Sequence, residues 1–276
     1  MAKMKLCAFA DEASKDLAGQ IEALKRNNIS LLEIRGVDGQ NISEISLDKA
    51  KEVKELLDKN GISVWSIGSP VGKAKINENV DGQEKTFLKL CEIARLFGCK
   101  RIRMFSFFDG EEKEVIYRLN HLCEIAGEDI VLCHENEKGI YGDKAEKCLN
   151  ICKCVKGIKA VFDPANFVQC GVDTRCAWEM LNPYVDYLHI KDALADGQVV
   201  PAGCGIGNLE YIVDSYAKMG GEVLTLEPHL MEFSGLAQLE NGESLKGMGK
   251  FANENEAFDT GVSALKKLLD KLGLEY

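Results

Sequence analysis

Ala160-Val161-Phe162-Asp163-Pro164 is the stretch from which the rest of this chain can be read. A short apolar run ends in an acid that directly precedes proline. A residue before proline is held in the extended region, so a strand stays extended through the acid and then breaks. The pattern recurs at Val223–Leu226, followed by Glu227-Pro228, and Ser69-Pro70 ends an earlier apolar run the same way. Two more runs lead to a residue with chemistry: Ile130–Cys133 to Glu135, and Val185–Leu188 to His189. The intervals from Glu135 to Asp163, His189 and Glu227 are 28, 26 and 38 residues, each enough for a strand, a loop and a helix. Three carboxylates and one imidazole, each at the end of its own strand, suit one divalent metal ion: Mn2+, Mg2+, Co2+ or Zn2+.

Outward from these runs, strands and amphipathic helices alternate along the whole chain. The strands expected are Lys5–Ala10, Leu31–Ile34, Ile62–Ile67, Arg101–Phe105, Ile130–Cys133, Ala160–Phe162, Val185–Leu188 and Val223–Leu226. The helices expected are Leu17–Arg26, Leu47–Lys59, Gln83–Phe97, Lys113–Ile125, Lys144–Val155, Arg175–Leu181, Leu209–Met219 and Glu256–Leu272. Ala50, Val53, Leu56 and Leu57 show the helical period, and Gly61, Gly98 and Gly157 each sit just after a helix. Strict alternation gives parallel strands. Eight units in 276 residues is the size of a single-domain (β/α)8 TIM barrel spanning residues 1–276. A doubly wound open sheet is the alternative. It usually carries a glycine-rich turn after its first strand, where this chain has Ala10-Asp11-Glu12-Ala13. A long connection from Pro228 to Glu254 is read as a lid or an oligomer contact.

Composition narrows the function. Net charge is −10, which disfavours nucleic acid as a partner. No run of about 18 apolar residues is present, so no membrane span is expected. Leu6–Ala10 is too short for the core of a signal peptide, and a cytoplasmic location is the default. Eleven cysteines without a Cys-x-x-Cys pair read as small buried residues in a reducing compartment.

In a barrel the C-terminal strand ends share one mouth, so the four candidates converge there. Tyr187, His189 and Lys191 share a face by alternation. His189 is otherwise a buried structural histidine. Glu135 and Glu137 have the same parity. Glu135 is nearer the strand and is the expected ligand, while Glu137 is a loop residue or a substrate contact. Asp163 has a second reading as the cap of the turn that follows. His134 and His229 are read as packing or substrate hydrogen-bonding residues. Glu33, Arg35 and Arg103 are read either as interior ion pairs or as substrate contacts. Lys73, in the loop after Ser69-Pro70, meets a substrate oxyanion or stands in solvent. Gly203-Cys204-Gly205-Ile206-Gly207 lacks the position and the downstream acid of a dinucleotide loop. It reads as a tight turn with Asn208 as N-cap, or as a phosphate seat on the helix that follows.

The segments His134–Asp143 (HENEKGIYGD), Phe162–Gly171 (FDPANFVQCG), His189–Asp192 (HIKD) and Thr225–His229 (TLEPH) resemble those of the xylose isomerase-like barrel superfamily of sugar and sugar-phosphate isomerases and epimerases. The resemblance implies a metal held by Glu135, Asp163, His189 and Glu227. It implies Glu135 and Glu227 as the acid–base pair at a carbon next to a carbonyl, working through an enediolate. Asn166 stands where related proteins have a substrate- or metal-facing histidine. This argues against the three-metal chemistry of the repair endonucleases in the superfamily. The substrate implied is a small sugar or sugar phosphate, contacted by Asn166, Lys191, Arg103, Glu33, Lys73, Glu137 and His229. The assembly implied is a homodimer or homotetramer. A dehydratase or lyase acting on an inositol-like or acid sugar, and a noncatalytic sugar-binding barrel, are the alternatives.

Overall fold

The computed structural model describes residues 3–233 and 251–276. Eight parallel strands close on themselves: β1 (Lys5–Ala8), β2 (Leu31–Ile34), β3 (Ser63–Gly68), β4 (Arg101–Met104), β5 (Val131–Glu135), β6 (Lys159–Phe162), β7 (Val185–Ile190) and β8 (Val223–Leu226). Each strand pairs with its neighbours in chain order, and β8 returns to β1 through Cys7 opposite Thr225. The closed sheet excludes the doubly wound alternative.

Nine α-helices surround the strands among the described residues: α1 (Leu17–Arg26), α2 (Leu47–Lys59), α3 (Val80–Phe97), α4 (Glu112–Ala126), α5 (Ala145–Cys154), α6 (Pro164–Gln169), α7 (Thr174–Leu181), α8 (Leu209–Lys218) and α9 (Glu254–Leu272). Ser46, Asp173 and Asn253 cap α2, α7 and α9 by accepting backbone N–H bonds three residues on. The sequence reading missed α6. Asp163 caps it and Pro164 takes its first position, a favoured helix start, but six residues are too few to show a period. Strand limits also moved. β1 stops at Ala8 because Ala10–Glu12 winds into a 3-10 turn, whereas β5 and β7 run on to include Glu135 and His189.

Alternation sets what fills the barrel. At the bottom, Cys7, Cys133, Val161, Tyr187 and Val223 form a small apolar plug, with Leu31, Trp65 and Val131 against it. One step up each strand the same face carries Phe9, Glu33, Arg103, Glu135, Asp163, His189 and Thr225, all buried. The interior is thus apolar below and charged above. The larger apolar core lies between strands and helices, including Trp178, which packs its ring edge-on against Phe162. The eleven cysteines are all unbridged, and Cys148 and Cys152 are buried. No helix among the described residues is long and apolar enough to cross a membrane. Residues 234–250 of the connection read as a lid or oligomer contact lie outside the described residues.

Two loops that frame the mouth have explicit causes. After β3 the chain runs alongside the segment after β4: Phe105, Phe107 and Phe108 donate backbone N–H bonds to Val71, Gly72 and Ala74. Gly72 has φ +82°, and an added Cβ would lie 2.2 Å from the Phe105 carbonyl oxygen. Gly72→Ala should cost about 2 kcal/mol, since neither backbone can yield cheaply. Denaturant unfolding would show it as a lower midpoint, and an unchanged midpoint would contradict this view of the loop.

The second loop is the glycine-rich turn. Asp192 fills it with its own carboxylate, accepting N–H bonds of 2.9 Å from Ala193, Gly203, Gly205 and Gly207. A Cβ on Gly205 or Gly207 would meet Asp192 Oδ1 at 2.4 or 2.7 Å. The amides of this turn are thus taken: the anion they hold is part of the chain. Asn208 is corrected. It stands at the N-cap position with φ 55°, but its side chain donates to Thr174 Oγ1 rather than capping α8. Asp192→Ala strips four amides of a charged acceptor and should cost about 2–4 kcal/mol, lowering Tm by roughly 5–15 °C. A Tm within about 1 °C of the parent would show that water replaces the carboxylate without loss.

Candidate metal centre

Glu135, Asp163, His189 and Glu227 arrive at the mouth from β5, β6, β7 and β8. One potential ligand atom from each lies within 4.8 Å of the others, and all four residues are buried. The four strand ends singled out in the sequence therefore converge.

Each carboxylate is used at both oxygens. On Glu135, Oε2 lies 3.1 Å from Arg103 Nε, while Oε1 is 3.2 Å from His189 Nδ1 and accepts from Asn166 Nδ2 at 3.1 Å. On Asp163, Oδ1 accepts the Asn166 backbone N–H at 2.9 Å, which is the α6 cap, and Oδ2 faces inward. Capping and facing the site are thus two jobs of one residue rather than rival readings. On Glu227, Oε1 accepts from Arg35 Nη1 at 2.9 Å, while Oε2 lies 3.1 Å from Lys191 Nζ and 3.6 Å from His189 Nδ1. One oxygen of each acid is held by the scaffold, and the other points at a common centre.

His189 is oriented from behind. Its Nε2 lies 3.2 Å from Glu33 Oε2, and Glu33 is held in turn by the Tyr187 hydroxyl at 2.8 Å. A carboxylate behind an imidazole fixes the N–H on Nε2 and turns Nδ1 to the front, where it can ligate a metal in exchange for its proton, the usual support of a metal-binding histidine. Phe9 packs edge-on against the ring at 5.2 Å. Glu33, read from sequence as an interior ion pair or a substrate contact, stands level with His189 and pairs with it.

Burial and charge act against each other here. Burial alone would raise Glu135, but His189 and Arg103 outweigh it and hold the carboxyl below its ordinary value. Burial is likewise outweighed at Glu227, where Lys191, His229 and His189 hold the carboxyl well below its ordinary value. Asp163 goes the other way: burial, with Glu227 and Glu135 nearby, pushes it to about 7 despite Lys191. Burial disfavours a charged His189, yet Glu135 and Glu33 push its pKa well above the ordinary value.

Further out, Lys73 Nζ pairs with Glu137 Oε2 at 2.9 Å and lies over the Phe105 ring. Glu137 is therefore outside the cluster, in the loop. His229 has φ 45°, donates its backbone N–H to Glu12 Oε2 at 2.7 Å, and places Nε2 3.4 Å from both Glu12 and Glu227. His134, on the opposite face of β5 from Glu135, packs beside Gly142 with both ring nitrogens unpaired; burial lowers its pKa to about 4.

The sequence reading underrated one group. Arg35 lies between the rings of Phe9 and Phe233, at 4.3 and 4.9 Å, and binds Asp11 through two nitrogens, Glu12 and Glu227. Asp11-Glu12 also follows a strand, so the rule that found the other acids applied here too.

The donor set suits a divalent cation. Three carboxylate oxygens and one imidazole form a hard, compact set. Asp163 Oδ2 and His189 Nδ1 are buried without a well-aligned hydrogen bond, although Lys191 Nζ lies 3.0 Å from the former. Glu12, Glu227 and His229 form a second group of close ligand atoms. Arg35 already neutralises both of its acids, which leaves that group poorly suited to a second dication.

A family profile described as xylose isomerase-like TIM barrel matches residues 21–268. A search of curated proteins found no similar sequence. Among solved structures, a D-psicose 3-epimerase with D-tagatose from Clostridium cellulolyticum superposes with TM-score 0.75 at 14% identity, covering 98% of this chain and 99% of its own. The probable 3-DHS dehydratase AsbF from Bacillus anthracis gives 0.73 at 15%, covering 95% and 98%. A xylose isomerase-like TIM barrel protein from Mycobacterium smegmatis in complex with magnesium gives 0.69 at 15%, also covering 95% and 98%. At these identities the superpositions speak for the fold, while the profile covers most of the chain: this protein belongs to the xylose isomerase-like TIM barrel family.

Proposed function

We propose that this chain is a divalent-metal-dependent isomerase or epimerase of a small sugar or sugar phosphate. The observation that carries this reading is the division within each acid. Arg103, the Asn166 amide and Arg35 hold one oxygen of Glu135, Asp163 and Glu227, and the other oxygens converge with His189 Nδ1. Glu135, Asp163, His189 and Glu227 hold the cation. Bound there, it supplies Lewis acidity that eases negative charge onto a substrate carbonyl oxygen.

The remaining roles belong to the chain. Glu135 and Glu227, both held below the ordinary carboxyl range, enter from strands three places apart, so they reach a substrate carbon from different sides. One removes a proton from the carbon next to the carbonyl and the other returns one. Return to the opposite face of the same carbon gives an epimer, and return to the adjacent carbon gives the aldose or ketose partner. Glu33 orients His189. Asn166, Lys191 and His229 address substrate hydroxyls, the Lys73–Glu137 pair closes one side, and Phe9, Phe105 and Phe233 supply apolar walls that keep water from the reacting carbon. The D-psicose 3-epimerase fold neighbour supports this reading.

A dehydratase is the second reading, favoured by the similar barrel of the 3-DHS dehydratase. The same proton abstraction followed by loss of a β-hydroxyl would give it. Incubation of the metal-loaded protein with a panel of ketoses, their phosphates and hydroxylated ring acids separates the two. Isomeric products support the lead reading, products lighter by one water support the second, and an unchanged panel contradicts both.

A further inference from the structure

Among the described chain cations at the cluster, Lys191 differs from the rest. Arg35 and Arg103 approach the outward oxygens of Glu227 and Glu135. Lys191 instead sets Nζ 3.0 Å from Asp163 Oδ2 and 3.1 Å from Glu227 Oε2, the two inward oxygens. Its side chain is only 4% exposed. A cation ligated by both acids would sit about 2 Å from each of those oxygens. An ammonium and a dication cannot share one oxygen pair without strong repulsion in so buried a place.

Alternation explains why the lysine is there. Tyr187, His189 and Lys191 stand on one face of β7 and its extension, so the residue that follows the imidazole ligand on that face reaches the next level of the mouth. A four-carbon stem lets Nζ move, unlike the forked and multiply bonded Arg35. Glu135 and Glu137 are the further carboxylates whose charge acts on it. Glu137 lies outward, beside Lys73.

We propose that the Lys191 ammonium competes with the divalent cation for Asp163 Oδ2 and Glu227 Oε2, and that cation binding expels it toward Glu137 at the mouth. The ammonium balances two buried carboxylates until the cation takes over that charge. It therefore sets the metal affinity, and it enters the substrate pocket only when metal is bound. This rests on the metal reading above.

The test compares Mn2+ binding by calorimetry for the parent, Lys191→Met and Lys191→Gln, with His189→Ala marking the site. Removing the competitor should tighten Mn2+ binding at least tenfold in both lysine variants. In chelator the variants should melt below the parent, and Mn2+ should raise their Tm by more than it raises the parent's. Equal or weaker binding by the variants, with normal binding by the parent, overturns the competition and leaves the metal site standing. Variants that stay unfolded even with Mn2+ present also overturn it, because the cation should replace the missing charge. A parent that binds no Mn2+ removes the metal reading and this inference with it.

Discussion

Glu227→Gln should lower turnover by about 10²- to 10⁴-fold while the protein stays folded, the usual loss when a positioned acid–base group is removed. The fold survives because the two cations on Glu227 have other partners. Arg35 keeps two bonds to Asp11 and one to Glu12, and Lys191 keeps Asp163. Chemistry does not survive because an amide cannot take up a proton at carbon. Circular dichroism and Tm report the first half, and product formation at saturating metal reports the second. Full activity in a folded Glu227→Gln protein would remove Glu227 from the acid–base role.

The second large effect concerns the metal. A cation that binds the folded chain alone stabilises it in proportion to the logarithm of its concentration over Kd. At a hundred times Kd this is about 2.7 kcal/mol, or roughly 5–10 °C in Tm for a chain of this size. His189→Ala should abolish the shift. It deletes one of four ligands and leaves Glu33 and Glu135 without the imidazole between them. The variant should also be less stable than the parent in chelator, because a buried pair broken on one side leaves uncompensated charge. An equal Mn2+ shift in parent and variant would place the cation elsewhere.

Much of this was legible in the sequence, and the reasons differ by residue. Asp163 and Glu227 were visible because proline follows each, and an apolar run that breaks after an acid has few other meanings. His189 was visible as a rare residue at the end of such a run. The barrel followed from counting alternating units. The neighbours of these residues across the barrel were not legible. Arg35 meets Glu227 only because β8 closes onto β1 and β1 lies beside β2, a contact between residues 192 positions apart. The Glu33 carboxylate behind His189 crosses the barrel interior in the same way, 156 positions along the chain. Alternation tells which face a residue is on, not how far up the barrel it stands. Glu33 shares the inward face with His189, and only closure of the barrel shows that the two meet. The acids were read one atom too coarsely: the sequence shows a carboxylate, whereas the site uses its two oxygens for different purposes. The glycine-rich turn shows the converse. Its amides are built to hold an anion, and Asp192, 11 to 15 residues earlier in the chain, supplies it.

The most direct test is solvent exchange. The metal-loaded protein is incubated in D2O with ketoses and their phosphates, and the recovered sugars are read by proton NMR. Deuterium should enter one C–H next to the carbonyl, should stop when metal is chelated, and should be absent in Glu227→Gln. Isomeric products that form without deuterium uptake, or exchange that continues undiminished in chelator, would contradict proton transfer at this metal centre.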